Sequence, residues 1–267
     1  MEIYLSQRQK KERKKLFKLV FFGCLGAFFV LAETAIGIII YSPLFKVENV
    51  EINGNNGSIN AEEFLSDINK VVENQSKIAS FLSSKNMLAW NVNSDVLIKY
   101  LPVSIKEIEI KKDYAGRKII IEIKPREKFG VWCSGDESIS CMWFDNDGVL
   151  FAVAPVLEGN LINKVDDYSG RNLLLGDKIF ETEFNDNLIK IFNLLEKTNL
   201  RIKSLTLKNF ELREIETSDF VSPKIYFSLR IDPAFGLIAI ETLKKNGLEK
   251  VDYINLTVPN KAFYKFK

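Results

Sequence analysis

The hydrophobic pattern changes character along the chain. From Leu19 to Tyr41, "LVFFGCLGAFFVLAETAIGIIIY" is apolar on every side, with Glu33 the one acid or base in it. At about 1.5 Å per residue such a helix just crosses a hydrocarbon core of about 30 Å. The pattern predicts one transmembrane helix. Beyond it, Phe45 and Val47 alternate, then Val50 and Ile52 alternate on the opposite parity. A strand there is irregular around Glu48 and Asn49, or begins at Asn49. Asn60 then caps a helix, with Glu63 at the capping-box position and Phe64, Leu65, Ile68, Val71 and Val72 on one face. No period stands out between Gln75 and Asn86. Ser94 to Leu101 predicts a second short helix, stopped by Pro102. Ile108 and Ile110, then Ile119, Ile121 and Ile123, alternate as two strands joined across Ala115 and Gly116. The order is strand, helix, helix, strand, strand.

From about Lys128 the pattern predicts mostly strands with two helices. "MWF" and "VLFAV" flank an Asp-Gly pair and read as a hairpin. Phe184, Leu188, Ile191, Phe192 and Leu195 form a helical stripe of core type. Strands follow at "IKSLTLKN", "FELREIET" and "KIYFSLRID". A second helix starts near Pro233 and ends at Gly247, which suits the left-handed position past a helix. Val251 to Val258 and Lys261 to Phe266 close the chain as strands. In the first of them Ile254, Leu256 and Val258 share one face, and Tyr253 and Asn255 the other. The expected fold class is α+β.

Charge adds orientation. The formal net charge of +2 gives no argument for a nucleic-acid partner. Its distribution matters more: Arg8, Lys10, Lys11, Arg13, Lys14, Lys15 and Lys18 precede the apolar run, and Lys46 alone follows it closely. The positive-inside rule then puts the N-terminus in the cytoplasm and everything after Tyr41 outside. A cleaved signal peptide is the competing reading, with "VLA" ending at Ala32 as its cleavage site. The apolar run resumes as "IGIII" beyond that point, which favours a retained anchor.

The chain has no histidine, which removes Ser-His-Asp and Cys-His catalysis and imidazole-held metals together. No phosphate loop, nucleophile elbow or dinucleotide fingerprint occurs. Asp145 and Asp147 invite a calcium-loop reading, but the later ligands and closing glutamate of an EF-hand are missing. The expectation is a chain that is not an enzyme, with no catalytic residues, no cofactor, no metal and no small-molecule substrate. Cys133 and Cys141 are candidates for a disulfide if their compartment is oxidising. Structural zinc needs four ligands, which two thiols without histidine do not supply. Glu33 has two readings: a protonated side chain near the outer half of the span, or a contact with a partner helix.

The strand and helix order after the anchor resembles the POTRA module, and the layout of nearly the whole chain resembles the bacterial cell-division family FtsQ, also called DivIB. "LP" at Leu101 and Pro102, "IEIKPRE", "WFDNDGVLF" and "VDYINLTVPNKAFYKF" carry the resemblance. The closing strand departs from it, with Asn255 and Thr257 where the family commonly has an acid and an arginine. The resemblance implies a basic cytoplasmic tail over 1–18, a transmembrane helix over 19–41, a POTRA domain (β-α-α-β-β) over 42–126 and a second, mostly antiparallel β domain with two helices over 127–267. It implies a single-pass protein of the inner cell membrane, found at the septum, that recruits the FtsB and FtsL pair and helps control septal peptidoglycan synthesis. Strand addition needs an unpaired edge and neighbouring pockets rather than catalytic side chains. The candidate partner-binding residues are Tyr253, Asn255, Leu256, Val258, Phe263 and Tyr264. A POTRA-bearing adaptor for secretion or envelope assembly, and a membrane-anchored wall hydrolase using carboxylates, are the alternatives.

Overall fold

The structure is a computed structural model and describes residues 7–54, 59–134, 140–156, 159, 161–218 and 223–267. It is a mixed α+β chain with one long apolar helix near the N-terminus and a large β-sheet. Helix α1 runs unbroken over Gln7–Tyr41, starting well before Leu19. The reason is local: Gln, Lys, Glu and Arg are good helix formers, so the hydrogen-bonded turns extend through the basic segment. Within α1, Arg13–Ile38 is long and apolar enough to cross a membrane, with a mean hydropathy of 2.1 in its most apolar stretch and none of that stretch buried. Pro43 then starts a 3₁₀ turn over Pro43–Phe45, and the Ser42 hydroxyl accepts the Leu44 N–H.

The chain divides into two compact units. The first holds β1 (Asn49–Asn53), α2 (Ala61–Asn74), α3 (Lys77–Leu82), α4 (Ser94–Leu97), most of β2 (Ile105–Asp113) and β3 (Lys118–Pro125). Its sheet has the order β1-β3-β2, with β1 parallel to β3 so that Val50 faces Ile119 and Ile52 faces Ile121. Asn60 caps α2 by accepting the Glu62 N–H, and α2 buries Phe64, Ile68 and Val72. Ile119, Ile121 and Ile123 of β3 are buried as well, as are Trp90 and Leu97. Each such aliphatic side chain, taken fully out of water, contributes about 1.5–3 kcal/mol.

Local caps explain the segment that shows no sequence period. Ser76 accepts the Ala79 N–H and starts α3, and Asn86 accepts the Leu88 N–H and starts a 3₁₀ turn over Met87–Trp90. The helix expected over Ser94–Leu101 is shorter than its pattern: α4 covers Ser94–Leu97, and Ile98–Tyr100 tightens into a 3₁₀ turn. Pro102 disfavours the helical conformation at the residue before it, so the last turn closes early.

The second unit takes Pro102–Lys106 and Pro125–Lys267. Its strands are β4 (Gly130–Ser134), β5 (Ser140–Phe144), β6 (Leu150–Ala154), β7 (Asn163–Asp167), β8 (Ser204–Leu207), β9 (Glu214–Thr217), β10 (Lys224–Ser228), β11 (Val251–Leu256) and β12 (Phe263–Phe266). Its helices are α5 (Thr182–Lys197) and α6 (Ala234–Lys245). One sheet takes all nine strands in the order β12-β11-β10-β9-β8-β7-β4-β5-β6. It is mixed: β10·β11, β7·β8 and β4·β7 are parallel, and the other five pairs are antiparallel. Helices account for two of the three parallel pairs, and the β5–β6 hairpin between β4 and β7 for the third. A tight turn returns a strand antiparallel, whereas a helical crossover lays the next strand parallel, as α5 does between β7 and β8 and α6 between β10 and β11.

Both helices serve one core. Leu188, Ile191, Phe192 and Leu195 of α5 and Ile240 and Leu243 of α6 pack with Trp132, Phe144, Leu205, Ile225, Phe227 and Ile254 of the strands. Buried polar groups are tied in: Asn187 donates to the Leu229 carbonyl at 2.8 Å, and Lys244 to the Thr198 carbonyl at 2.7 Å. α6 ends at Asn246, with Gly247 at φ 96°, where a side chain would strain the backbone.

Candidate functional site

The antiparallel pair β11·β12 closes one end of the nine-stranded sheet, and β12 is its outermost strand. Among the described residues no strand lies beyond β12, so every second N–H and C=O along it faces outward without a ladder partner. The register sets Phe263 against Asn255, Tyr264 against Ile254 and Lys265 against Tyr253, with a bulge between Val251 and Tyr253. Residues directly opposite each other share a face. Tyr264 therefore lies on the face of buried Ile254, towards α6.

A groove of about 420 Å³ runs between α6 and β12, lined by Ile238, Ala239, Thr242, Ala262, Phe263 and Tyr264 among others. α6 sits close to the sheet at Gly236, where a Cβ would come within 2.9 Å of Leu256 Cδ1. Large apolar residues in its lining are exposed, Ile238 65%, Phe263 51% and Tyr264 49%, and Phe266 further along β12 is 53% exposed. Tyr264 and Phe266 meet edge to face with ring centroids 5.4 Å apart. Lys261, Lys265 and Lys267 are exposed beside them. The arrangement suits an extended segment, with main-chain bonds along β12 and side chains in the groove.

The sequence-derived residues separate here. Phe263 and Tyr264 lie on the edge strand and line the groove. Tyr253 is half-buried on β11, its ring edge-on to Tyr226 at 6.2 Å. Asn255 Oδ1 accepts the N–H and the hydroxyl of Thr257 at 2.9 and 2.7 Å, which turns the chain out of β11. Val258 is exposed past the strand end instead of continuing the alternation. Leu256 faces inward and is 8% exposed in the core, because β11 is an interior strand whose alternate side chains lie under α6. It packs the fold and offers no contact surface. Sequence reasoning missed Ile238 and Phe266. Ile238 carries a signal: Gly236, Ile240 and Leu243 form the buried stripe of α6, and Ile238 is an aliphatic residue off that stripe.

Cys133 and Cys141 face each other across β4·β5 and are joined by a disulfide. Their surroundings, Val131 and Ala154 with Trp143 and Ile162, form a small apolar cluster. Glu33 lies within the apolar stretch of α1. Asp145 and Asp147 are both engaged by cations: Arg126 Nη1 reaches Asp145 Oδ2 at 2.6 Å, and Lys106 Nζ reaches Asp147 Oδ2 at 2.7 Å. Asp145 Oδ1 also accepts the Asp147 and Val149 N–H groups, which makes it a turn anchor. Arg171 and Arg213 stack on the Phe210 ring at 3.9 and 3.5 Å and bond Asp167 and Glu181 respectively. Burial pushes the Arg171 guanidinium down from its usual value, while Asp167 raises it. Among the described residues no group of three or more Cys, Asp or Glu side chains is placed to hold a metal ion. Comparison of the chain with protein-family models and with curated proteins gives no match.

Proposed function

We propose that this chain is a single-pass scaffold of the bacterial division machinery, of the FtsQ or DivIB kind, which recruits an FtsB/FtsL-type pair by strand addition at β12 and helps regulate septal peptidoglycan synthesis. The observation that carries the reading is the open β12 edge beside an apolar groove. Strand order in the first unit, with β1 returning parallel to β3 around the helices, supports a POTRA module there. The apolar stretch of α1 supports a membrane anchor, and the basic residues before it support a cytoplasmic N-terminus with the two units outside. Between residues 244 and 267 six lysines face two acids, Glu249 and Asp252, so the incoming segment that fits best is itself acidic.

The test is a pair of groove substitutions in the full chain. Phe263→Lys and Tyr264→Lys each replace a half-exposed ring with a charge. Each should weaken capture of the partner pair by at least about tenfold, since truncating an interface hot spot commonly costs 2 kcal/mol or more. The unfolding transition should stay where it is. Variants that melt like the parent and bind the pair with unchanged affinity would remove β12 as the site.

A further inference from the structure

α3 leaves an apolar surface uncovered. Of its six residues only Ala79 is buried, while Ile78 is 73% and Phe81 72% exposed. Leu44, in the turn that follows α1, is 64% exposed. These places are stitched together: the Val47 N–H donates to the Lys85 carbonyl at 2.8 Å, and Lys46 forms a bridge with Asn86. The chain leaving α1 thus pairs with the residues that leave α3. From Tyr41 to Val47 an extended chain covers at most about 22 Å, and the 3₁₀ turn within it shortens that reach. From Lys85 back to Phe81 the limit is about 14 Å.

We propose that α3 and the turn after α1 form a lipid-contacting surface that rests on the bilayer α1 enters, with Leu44, Ile78 and Phe81 in the interfacial layer and Lys46, Lys77 and Lys85 among anionic headgroups. The proposal rests on the reading of α1 as a membrane anchor. The short tether supplies the occupant: an apolar pair held this near a membrane exit meets the bilayer before any other large surface. Charge agrees with it. Lys46, Lys77 and Lys85 are exposed, Glu48 is paired with Arg117 at 2.7 Å, and the acid that faces them, Glu73, is taken up by the Ser83 hydroxyl and the Ser84 N–H. Those bonds, the Ser84 N–H first, hold the Glu73 carboxyl below its usual value. The surface is net basic, as anionic lipid requires. Tyr114, 43% exposed and edge-on to Phe45 at 6.3 Å, adds an aromatic of the type enriched at membrane interfaces.

A fluorescent reporter in the full chain tests this. Phe81→Trp places an indole on the exposed face of α3. Trp90 and Trp132, each 2% exposed, and Trp143 give a background that the parent chain measures. The protein is reconstituted in bilayers of zwitterionic and anionic phospholipid, with and without bromine on the acyl chains, and insertion of α1 is checked by resistance to carbonate extraction. In anionic bilayers the emission added by F81W should be quenched by brominated lipid, because an interfacial apolar side chain sinks about 5–10 Å into the headgroup and acyl boundary. Adding Lys77→Glu and Lys85→Glu should lower the docked-to-undocked ratio by about fivefold or more per lysine and release the quenching. An inserted chain whose F81W emission ignores brominated lipid overturns the proposal alone. So does shielding of that indole that appears only when a protein partner is added. A chain that fails to insert removes the anchor reading and this surface together.

Discussion

At the scale of residues, the two aspartates of the β5–β6 turn have the same chemistry and different work. Asp145 is 2% exposed, closes the turn through two backbone N–H groups and holds Arg126, whose Nε also donates to the Val103 carbonyl at 2.9 Å. Asp147 is half-exposed and meets Lys106, whose hydrogen bond lowers its carboxyl below the usual 3.8. Asp145→Ala should cost about 3 kcal/mol, because it orphans buried donors and leaves the part-buried Arg126 guanidinium only the more distant Asp147 carboxylate, at 3.9 Å. Asp145→Asn keeps the turn acceptor and should cost less. Asp147→Ala should stay within about 1 kcal/mol, as exposed pairs do. Urea unfolding of the three variants checks the ranking. Because the folded-state carboxyl of Asp147 is depressed, its small contribution is present above pH 3.8 and fades only as pH falls through the lower folded value.

Elements bring in close approaches that no side chain announces. Gly54 ends β1 at φ 85°, and a Cβ there would lie 2.0 Å from the Ile123 carbonyl oxygen of β3. Neither the turn nor the strand can yield cheaply, since the obstacle is backbone. Gly54→Ala should therefore destabilise the first unit by about 2–3 kcal/mol, read as an earlier thermal transition. Asn53 and Gly54 form an Asn-Gly pair, turn chemistry that a sequence shows by itself; the contact with β3 is not legible there, because parity tells which face a residue takes and not which strand it meets. The same limit accounts for the mixed sheet. Alternation in "IKSLTLKN" and "VDYINLTV" marks strands, and only the crossovers through α5 and α6 make them parallel to β7 and β10. α3 was hidden for another reason: six residues with one buried position carry no helical period, and its start depends on the Ser76 cap. At the edge strand Phe263 and Tyr264 were readable as exposed aromatics, whereas the groove beside them needs α6 in place.

For the whole molecule, compartment and covalent chemistry are one question. Three cysteines divide between the apolar stretch of α1, which holds Cys24 as a free thiol, and the second unit, where Cys133 and Cys141 are bonded across β4·β5. A bond closing a loop with a sequence separation of 8 contributes about 2.5 kcal/mol in the chain-entropy account. Such a bond persists only where glutathione and thioredoxin do not reduce it. If the basic residues before α1 hold the N-terminus inside, the second unit is outside and the bridge forms there. This chain purified without reductant from cells in which α1 directs insertion, then denatured and alkylated, should present one reactive thiol per chain, at Cys24. The same chain with the basic residues from Arg8 to Lys18 changed to glutamate loses its orientation signal, and a fraction should keep its second unit in the cytosol and present three thiols. Reducing the oxidised protein should lower the unfolding transition of the second unit and leave that of the first where it was, because both cysteines lie in the second. Three thiols in the unaltered chain would place the second unit on the reducing side and reverse the topology.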